Sequence, residues 1–360
     1  MLARPSWKSP KTMKKIRVLI VDDSPVVRSI LERILTAEPD IEVLATASDP
    51  YEAKKCILEQ APDVVTLDVE MPRMDGITFL KRLMSYRPLP VIMISSFTTE
   101  NSRKTLEALE AGAVDFVPKP TADLEGGLAA LSRDIVAKVR IAATARVRPA
   151  LVRPRPVRTP AVAGEGRTSR LYKIVAVGAS TGGTQAIERL LSSITFQPNG
   201  ILIVQHMPAR YTQSFAQRLN AMVPFEVSEA KDRDRVEKDR VLIAPGGLHM
   251  RLARDAKGFF VRTDDRAPVN HQRPSVDVLF SSVAQEAGRE SVGVVLTGMG
   301  DDGARGLLAM RRSGAYTIAQ DQATSVVFGM PRAAIEMGAA TDVTGLHEIA
   351  EAIQASARKL

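Results

Sequence analysis

Two groups of reactive side chains stand at the ends of short apolar runs in this chain, and each suggests its own chemistry. In the first group Asp22 and Asp23 follow IRVLIV (Ile16 to Val21), and Asp68 follows VVTL (Val64 to Leu67). Ser95 follows VIMI (Val91 to Ile94), and Lys119 comes after DFV (Asp115 to Val117). If the runs are strands of one parallel sheet, all five residues fall at the same edge. Three converging carboxylates repel one another unless a cation sits between them, and an all-oxygen site that retains waters suits Mg²⁺. Asp68 is then placed as a carboxylate nucleophile toward a phosphoryl donor, with Mg²⁺ and the Lys119 ammonium neutralising the transferring oxygens. Ser95 would donate a hydrogen bond to the new phosphoryl group. Singly, Asp23 reads as a helix cap before SPVVRSILERIL and Asp68 as a loop aspartate; the ordered set is what points to chemistry. The Lys119-Pro120 bond is a candidate cis peptide that would aim the lysine inward.

The second group begins after KIVAV (Lys173 to Val177) with Gly178-Ala179-Ser180-Thr181-Gly182-Gly183, before a helix expected near Thr184. A dinucleotide fingerprint needs glycine where Ser180 stands, and a phosphate-binding Walker loop needs a Gly-Lys-Ser/Thr ending that is absent. The stretch does match G-x-S-x-G, in which a tight strand-to-helix turn presents a serine hydroxyl near helix N-terminal amides. His206 follows GILIVQ (Gly200 to Gln205), and TGMGDDG (Thr297 to Gly303) follows VGVVL (Val292 to Leu296). Serine, histidine and aspartate therefore occupy three strand ends. A serine hydroxyl needs a base to take its proton, and an imidazole needs a carboxylate to fix its tautomer and stabilise its charged form. The glycine-rich TGMGDDG also offers amides, that of Met299 among them, to an oxyanion. Chemistry alone does not choose between Asp301 and Asp302. His249, His271 and His347 lie in contexts that suit surface or structural roles. The chain order Ser, His, Asp also differs from the Ser, Asp, His order of α/β-hydrolases.

The elements that must position these residues follow from the hydrophobic pattern. In the first half five short apolar runs without polar alternation are separated by amphipathic stretches, the signature of βα units whose strands are buried on both faces. The pattern restarts at Lys173 and continues through RVLIA (Arg240 to Ala244) and YTIAQ (Tyr316 to Gln320); between Ala244 and Asp264, glycine-bounded turns predict a β-hairpin that interrupts it. Both halves are thus α/β, each a doubly wound parallel sheet, five-stranded in the first and carrying a hairpin in the second, with function expected at the carboxyl ends of the strands. We read residues 1–13 as a basic tail, 14–138 as the first domain, 139–168 as a Pro/Arg-rich linker and 169–360 as the second domain.

A chain of 360 residues exceeds what one hydrophobic core usually supports, in agreement with two domains. The net charge of +8 raises the question of nucleic acid, but its location answers it. Residues 1–15 carry +5 and residues 139–170 carry +7; subtracting these from +8 leaves −4 on the remainder, so neither folded part is basic. The single Cys56 rules out an internal disulfide framework and sits at an apolar helical position. No run approaches the length of a membrane span and no signal-peptide stretch follows the basic start, so a cytoplasmic protein without membrane insertion is expected.

DD, LDVEMPRMDG, MISS and DFVPKP make residues 14 to 138 resemble the response-regulator receiver family. That resemblance implies Mg²⁺ at Asp22, Asp23 and Asp68, phosphorylation at Asp68, and switch roles for Ser95, Phe116 and Lys119. Phe116 reads equally as a core residue. GASTGG, QHMP and TGMG-x-DG make the second half resemble the chemotaxis protein-glutamate methylesterase family, CheB. This implies Ser180 as nucleophile, His206 as general base, Asp302 as its orienting carboxylate, the Met299 amide as oxyanion donor and Thr181 in support, with no cofactor in the esterase. It also implies glutamate methyl esters of chemoreceptors as substrates, receptor glutamines as further targets, a chemotaxis histidine kinase as phosphodonor, and a receiver that covers the esterase cleft until Asp68 is phosphorylated. Only the family's register selects Asp302 over Asp301. The rival readings are a DNA-binding response regulator, disfavoured because the output region alternates strands and helices over some 190 residues without a compact helix-turn-helix tail, and a nucleotide-binding module.

Overall fold

The computed structural model describes residues 14–95, 99–119, 127–147 and 174–356. The basic tail, Pro120 with its candidate cis bond, and the expected linker beyond residue 147 lie outside the described residues. In the first half β1 (Ile16–Val21), α1 (Pro25–Thr36), β2 (Ile41–Ala47), α2 (Pro50–Gln60), β3 (Val64–Asp68), α3 (Gly76–Tyr86), β4 (Val91–Ser95), α4 (Thr99–Glu110), β5 (Asp115–Pro118) and α5 (Gly127–Thr144) alternate strictly. The five strands form one parallel sheet in the order β2-β1-β3-β4-β5. Short polar residues start the helices: Ser24 accepts from the Val27 amide, Asp49 from Tyr51 and Glu52, and Asp75 from Thr78, each satisfying amides that a first turn leaves open. Pro25 and Pro50 fill first-turn positions, where a missing N–H removes no bond.

The second half contains β6 (Ile174–Ala179), α6 (Gly183–Ser193), β7 (Ile201–Gln205), α7 (Tyr211–Met222), β8 (Glu226–Glu229), β9 (Arg240–Ile243), β10 (His249–Asp255), β11 (Gly258–Asp264), α8 (Val276–Glu286), β12 (Ser291–Val295), α9 (Ala304–Arg312), β13 (Tyr316–Gln320), α10 (Met330–Glu336), β14 (Asp342–Thr344) and α11 (Ile349–Ser356). Seven strands make a parallel sheet in the order β14-β13-β12-β6-β7-β9-β8, and β10 and β11 form the expected hairpin as a separate antiparallel pair. The apolar pattern does not predict β8 or β14. Both are edge strands of three or four residues, largely unburied, so they carry no continuous apolar run.

The halves are in intimate contact. Helix α4 packs on α6 and α7, and one continuous apolar cluster includes Leu106, Leu109 and Phe116 of the first half with Ala186, Ile187, Tyr211 and Phe215 of the second. Beyond α5 the Arg146 amide donates to Val326 O at 3.2 Å, and its guanidinium reaches Gln322 O.

Gly303, just before α9, adopts φ +94°, and a Cβ there would lie 2.6 Å from Val276 Cγ1 of α8. At Gly247, with φ +85°, an added Cβ would meet nothing within 4 Å. Gly247→Ala is therefore expected to lose about 1 kcal/mol, from backbone strain alone. Gly303→Ala, which adds overpacking, should lose roughly 2–4 kcal/mol. Urea midpoints of the two variants check the ranking; equal losses would mean that the α8–α9 contact is not tight.

Candidate functional site

Ser180 sits in the turn between β6 and α6, where Gly182 at φ +77° lets the chain reverse into the helix. The turn is pinned from three sides. The Ser180 amide donates to Thr297 O at 3.0 Å, Gln205 Nε2 donates to Ser180 O at 2.9 Å, and Thr297 Oγ1 donates to Thr181 O at 3.0 Å. A Cβ at Gly298 would stand 2.8 Å from the Ser180 Cβ, so the TGMG segment lies against the serine. Strands β12, β6 and β7 are neighbours, and the order of connection reverses between β12 and β6. The residues after these three strands thus converge at the crevice where an open α/β sheet usually binds its ligand.

His206 follows β7, its amide donating to Ala179 O at 3.1 Å. The ring is nearly sealed from solvent, and Nε2 lies 2.8 Å from Asp302 Oδ2. Nδ1 is buried and has no hydrogen-bond partner among the described residues. With the Nε2 proton directed at the carboxylate, Nδ1 is the nitrogen left to act as base, and His206 lines the same crevice as Ser180. The assignment of ring nitrogens is the mirror of the chymotrypsin arrangement, in which the carboxylate takes Nδ1.

Asp302 and Asp301, which chemistry alone could not separate, differ sharply in place. Asp301 is exposed, whereas Asp302 is 3% exposed. Asp302 receives hydrogen bonds from His206 Nε2, Asn270 Nδ2, Ser275 Oγ and the Val276 and Asp277 amides. Burial works to raise its pKa, but these donors, His206 first, outweigh it and hold the carboxyl below its ordinary value. Asn270, Ser275 and Asp277 did not emerge from sequence. Their signal is faint: an asparagine and a serine in a polar loop just before an apolar helix. His249 fits the structural role expected of it, being fully buried with Nδ1 accepting from the Ser275 amide at 3.3 Å. His271 and His347 are exposed. Met299 is 46% exposed on the TGMG loop.

Thr181 is not open to a substrate. Its hydroxyl donates to Asp115 Oδ2 of the first half at 2.5 Å. Leu109, Val114, Asp115 and Phe116 close over Ser180, Thr181 and His206, leaving a crevice of about 20 Å³, room for about one water. Gln185 donates to Leu109 O, and Arg218 pairs with Glu110 across the same seam.

In the first half Asp22, Asp23 and Asp68 bring carboxylate oxygens within 4.8 Å of one another. Lys119 Nζ donates to Asp68 Oδ2 at 2.7 Å and lies 3.3 Å from the buried Asp22 Oδ2. Burial pushes Asp68 up to about 6 in spite of the Lys119 bond, with the charge of Asp22 adding to the rise. Asp22 is also raised, again chiefly by burial. One ammonium thus leaves two buried carboxylates under-compensated, and hard oxygen donors at this spacing fit a divalent cation. Ser95, buried at the end of β4, accepts from Thr105 Oγ1 at 2.8 Å. Phe116 is 4% exposed, with its ring centroid 4.5 Å from that of Tyr211 in the second half. Burial raises the Tyr211 phenol, whose hydroxyl interacts with those of Ser95, Thr105 and Ser102.

Among the described residues no helix is long and apolar enough to cross a membrane. The second half is consumed by the seven-stranded sheet, with no compact helix-turn-helix appended among the described residues.

Comparison with known proteins relates each half of the chain to a family. Residues 18–129 match the response regulator receiver domain model and residues 175–353 match the CheB methylesterase model. A protein-glutamate methylesterase/protein-glutamine glutaminase of Salmonella choleraesuis is 50% identical over 339 residues, covering 94% of this chain and 96% of its own. One of the same name from Bordetella bronchiseptica is 51% identical over 349 residues, covering 95% and 97%. Among solved structures, the Thermotoga maritima CheB methylesterase catalytic domain is 35% identical, covers 52% of this chain and 98% of its own, and has a TM-score of 0.49. With half of its residues identical to such relatives over nearly their whole length, a receiver domain in front and a serine, a histidine and a buried aspartate at three adjoining strand ends, this chain belongs to the CheB methylesterase family.

Proposed function

We propose that the chain is a phosphorylation-activated protein-glutamate methylesterase that hydrolyses glutamate methyl esters on methyl-accepting chemotaxis receptors in the cytoplasm, releasing methanol, and that the same site deamidates receptor glutamines. The receiver lies within residues 14–144, since α5 continues to Thr144, six residues into the segment expected as linker, and 169–360 serve as the esterase. The observation that carries this reading is the His206 ring, bound through Nε2 to a buried carboxylate, with Nδ1 left without a partner among the described residues, in a crevice that Ser180 also lines.

Ser180 Oγ attacks the γ-carbonyl while His206 Nδ1 accepts its proton, and Asp302 stabilises the imidazolium. The oxyanion is directed to the Met299 N–H. Collapse expels methanol, which takes its proton from Nδ1–H; water then adds to the acyl-serine with the same nitrogen as base. On a glutamine side chain the leaving group is ammonia. Asp22, Asp23 and Asp68 would hold a Mg²⁺, which would supply charge neutralisation for phosphoryl transfer from a chemotaxis histidine kinase to Asp68, and Lys119 and Ser95 would bind the phosphoryl oxygens. Since Thr181 is engaged by Asp115 and the crevice admits about one water, turnover requires the receiver to move off the site.

Ser180→Ala and His206→Ala should each abolish methanol release from methylated receptor membranes while leaving the urea midpoint nearly unchanged; normal turnover by folded Ser180→Ala protein would remove the nucleophile assignment. Asp302→Asn should lower kcat by about a thousandfold or more and Asp301→Asn by little, and the reverse ranking would shift the triad by one residue.

Cation binding should follow the ionisation of Asp68. The carboxyl must lose its proton to serve as ligand, so the rise in Tm on adding Mg²⁺ should be large above the value of about 6 reached by Asp68 and shrink as pH falls through it. A gain independent of pH across this window would exclude Asp68 from the site.

Asp68→Asn should keep basal activity but lose stimulation by a small phosphodonor. Loosening the seam by Gln185→Ala with Arg218→Ala should raise basal activity of the full chain without a phosphodonor. Unchanged basal activity in the seam variant, together with stimulation of Asp68→Asn, would sink both the occlusion model and the acceptor assignment.

A further inference from the structure

Helices α8 and α9 each begin without a side-chain cap of their own: Ser275 makes no capping bond, and Gly303 has no side chain to offer. The caps come crosswise. Asp302, just before α9, accepts from the Val276 amide at 2.7 Å and the Asp277 amide at 3.2 Å at the start of α8. Asp277, in the first turn of α8, accepts from the Gly306 amide of α9 at 2.6 Å. This exchange brings two buried carboxylates close together, Asp277 at 7% and Asp302 at 3% exposure. Their mutual repulsion shows in Asp277, which is raised first by burial and further by the charge of Asp302.

Asn270 stands between them. Its side-chain nitrogen donates to Asp277 Oδ2 at 2.8 Å and to Asp302 Oδ1 at 2.9 Å. A primary amide is suited to this task, since it offers two N–H groups from one atom and brings no charge. The backbone is built for the residue as well: Asn270 adopts φ +53°, a left-handed conformation that asparagine, aspartate and glycine tolerate better than other residues. The antiparallel bridge between Val269 and Gln272 fixes the turn around it.

We propose that Asn270 is a positioning residue of the hydrolase: by dividing its two N–H groups between Asp277 and Asp302 it holds the carboxylates apart and seats Asp302 Oδ2 on His206 Nε2. This rests on the reading of His206 and Asp302 as base and orienting carboxylate. Asn270 touches no reacting atom and acts only through Asp302. Without its amide the Asp302 carboxylate keeps its α8 contacts but loses a donor on Oδ1 and faces Asp277 unshielded. The ionisable groups concerned are Asp302, Asp277 and, through Asp302, His206.

The test compares Asn270→Asp, Asn270→Gly and His206→Ala in the full-length protein. Methanol release from methylated receptor membranes is measured across pH under phosphodonor and normalised to the folded fraction. Aspartate keeps the shape and the left-handed tolerance of asparagine but replaces the donors by a third carboxylate; glycine keeps the backbone and removes the amide. Both variants should lower kcat by about tenfold to a hundredfold with KM changed by less than about twofold. The Asn270→Asp deficit relative to the unsubstituted protein should narrow as pH falls, because the introduced carboxyl, pushed up by burial and by the two carboxylates beside it, then gains a proton to donate. A role limited to backbone shape predicts that Asn270→Asp is fully active, and that result overturns the proposal, as does a deficit equal at every pH. His206→Ala separates the two levels. If it is active, the triad reading itself falls; if it is inactive while Asn270→Asp turns over normally, only the role of Asn270 falls.

Discussion

A carboxylate taken out of water must find donors in the protein, and the esterase half is organised around that requirement at Asp302. Desolvation of a single charge costs several kcal/mol unless it is matched. Here the match comes from two amides at the start of α8, the Ser275 hydroxyl, the Asn270 amide and the His206 ring. Satisfying Asp302 therefore fixes where α8 begins, how the 269–275 loop runs and which nitrogen of His206 carries the proton. It also explains why Gly303 must follow at φ +94°, since α9 has to turn away at once while its first residues lie against Val276. The nitrogen left to His206 for its proposed role as base is thereby set by a folding constraint.

The receiver half treats its buried carboxylates differently. Asp302 is held below the ordinary carboxylate value, whereas Asp68, with Lys119 as its close ion-pair partner and Asp22 beside it, is pushed up to about 6. Full compensation makes a fixed charge that never needs to change. Partial compensation makes a site that responds to a cation or a phosphoryl group, because either one changes the local balance by more than the existing pairs can absorb. The two acidic sites thus differ in the number of donors around them, as the permanent and switched roles proposed for them require.

Much of this was legible in the sequence because both sheets are parallel and buried on both faces. Short apolar runs such as IRVLIV and VIMI, alternating with amphipathic stretches, mark the strands, and in such sheets the residue after the strand is at the functional edge. Asp22, Asp68, Ser180 and His206 could therefore be placed by counting. The edge strands Glu226–Glu229 and Asp342–Thr344 escaped because edge positions relax the apolar requirement that makes central strands readable. Asn270, Ser275 and Asp277 escaped for another reason: they act on Asp302 from far along the chain, and only the packing of α8 against α9 brings them together. The choice of Asp302 over Asp301 needed a register borrowed from resemblance, whereas burial separates the two at once.

The halves are coupled most directly through one aromatic side chain. Tyr211 begins α7 of the esterase, is fully buried, stacks near Phe116, and directs its hydroxyl to Ser95, Thr105 and Ser102 of the receiver. Strand β5 adds further contacts. Asp115 at its start takes the Thr181 hydroxyl, Phe116 follows, and Lys119 just beyond its end holds Asp68. A change at Asp68 that recruits Lys119 and Ser95 therefore acts on the same strand and the same hydroxyl cluster that grip the esterase. The free energy involved can be bounded. Moving a seam from 99% closed to 99% open takes about 5.5 kcal/mol of differential interaction. A new phosphoryl group supplies such a difference through a few charge-assisted hydrogen bonds of roughly 1.5–3 kcal/mol each, provided they form only when Ser95 and Lys119 leave their closed-state partners. Tyr211 makes that condition structural, because Ser95 belongs both to the seam and to the proposed phosphorylation site.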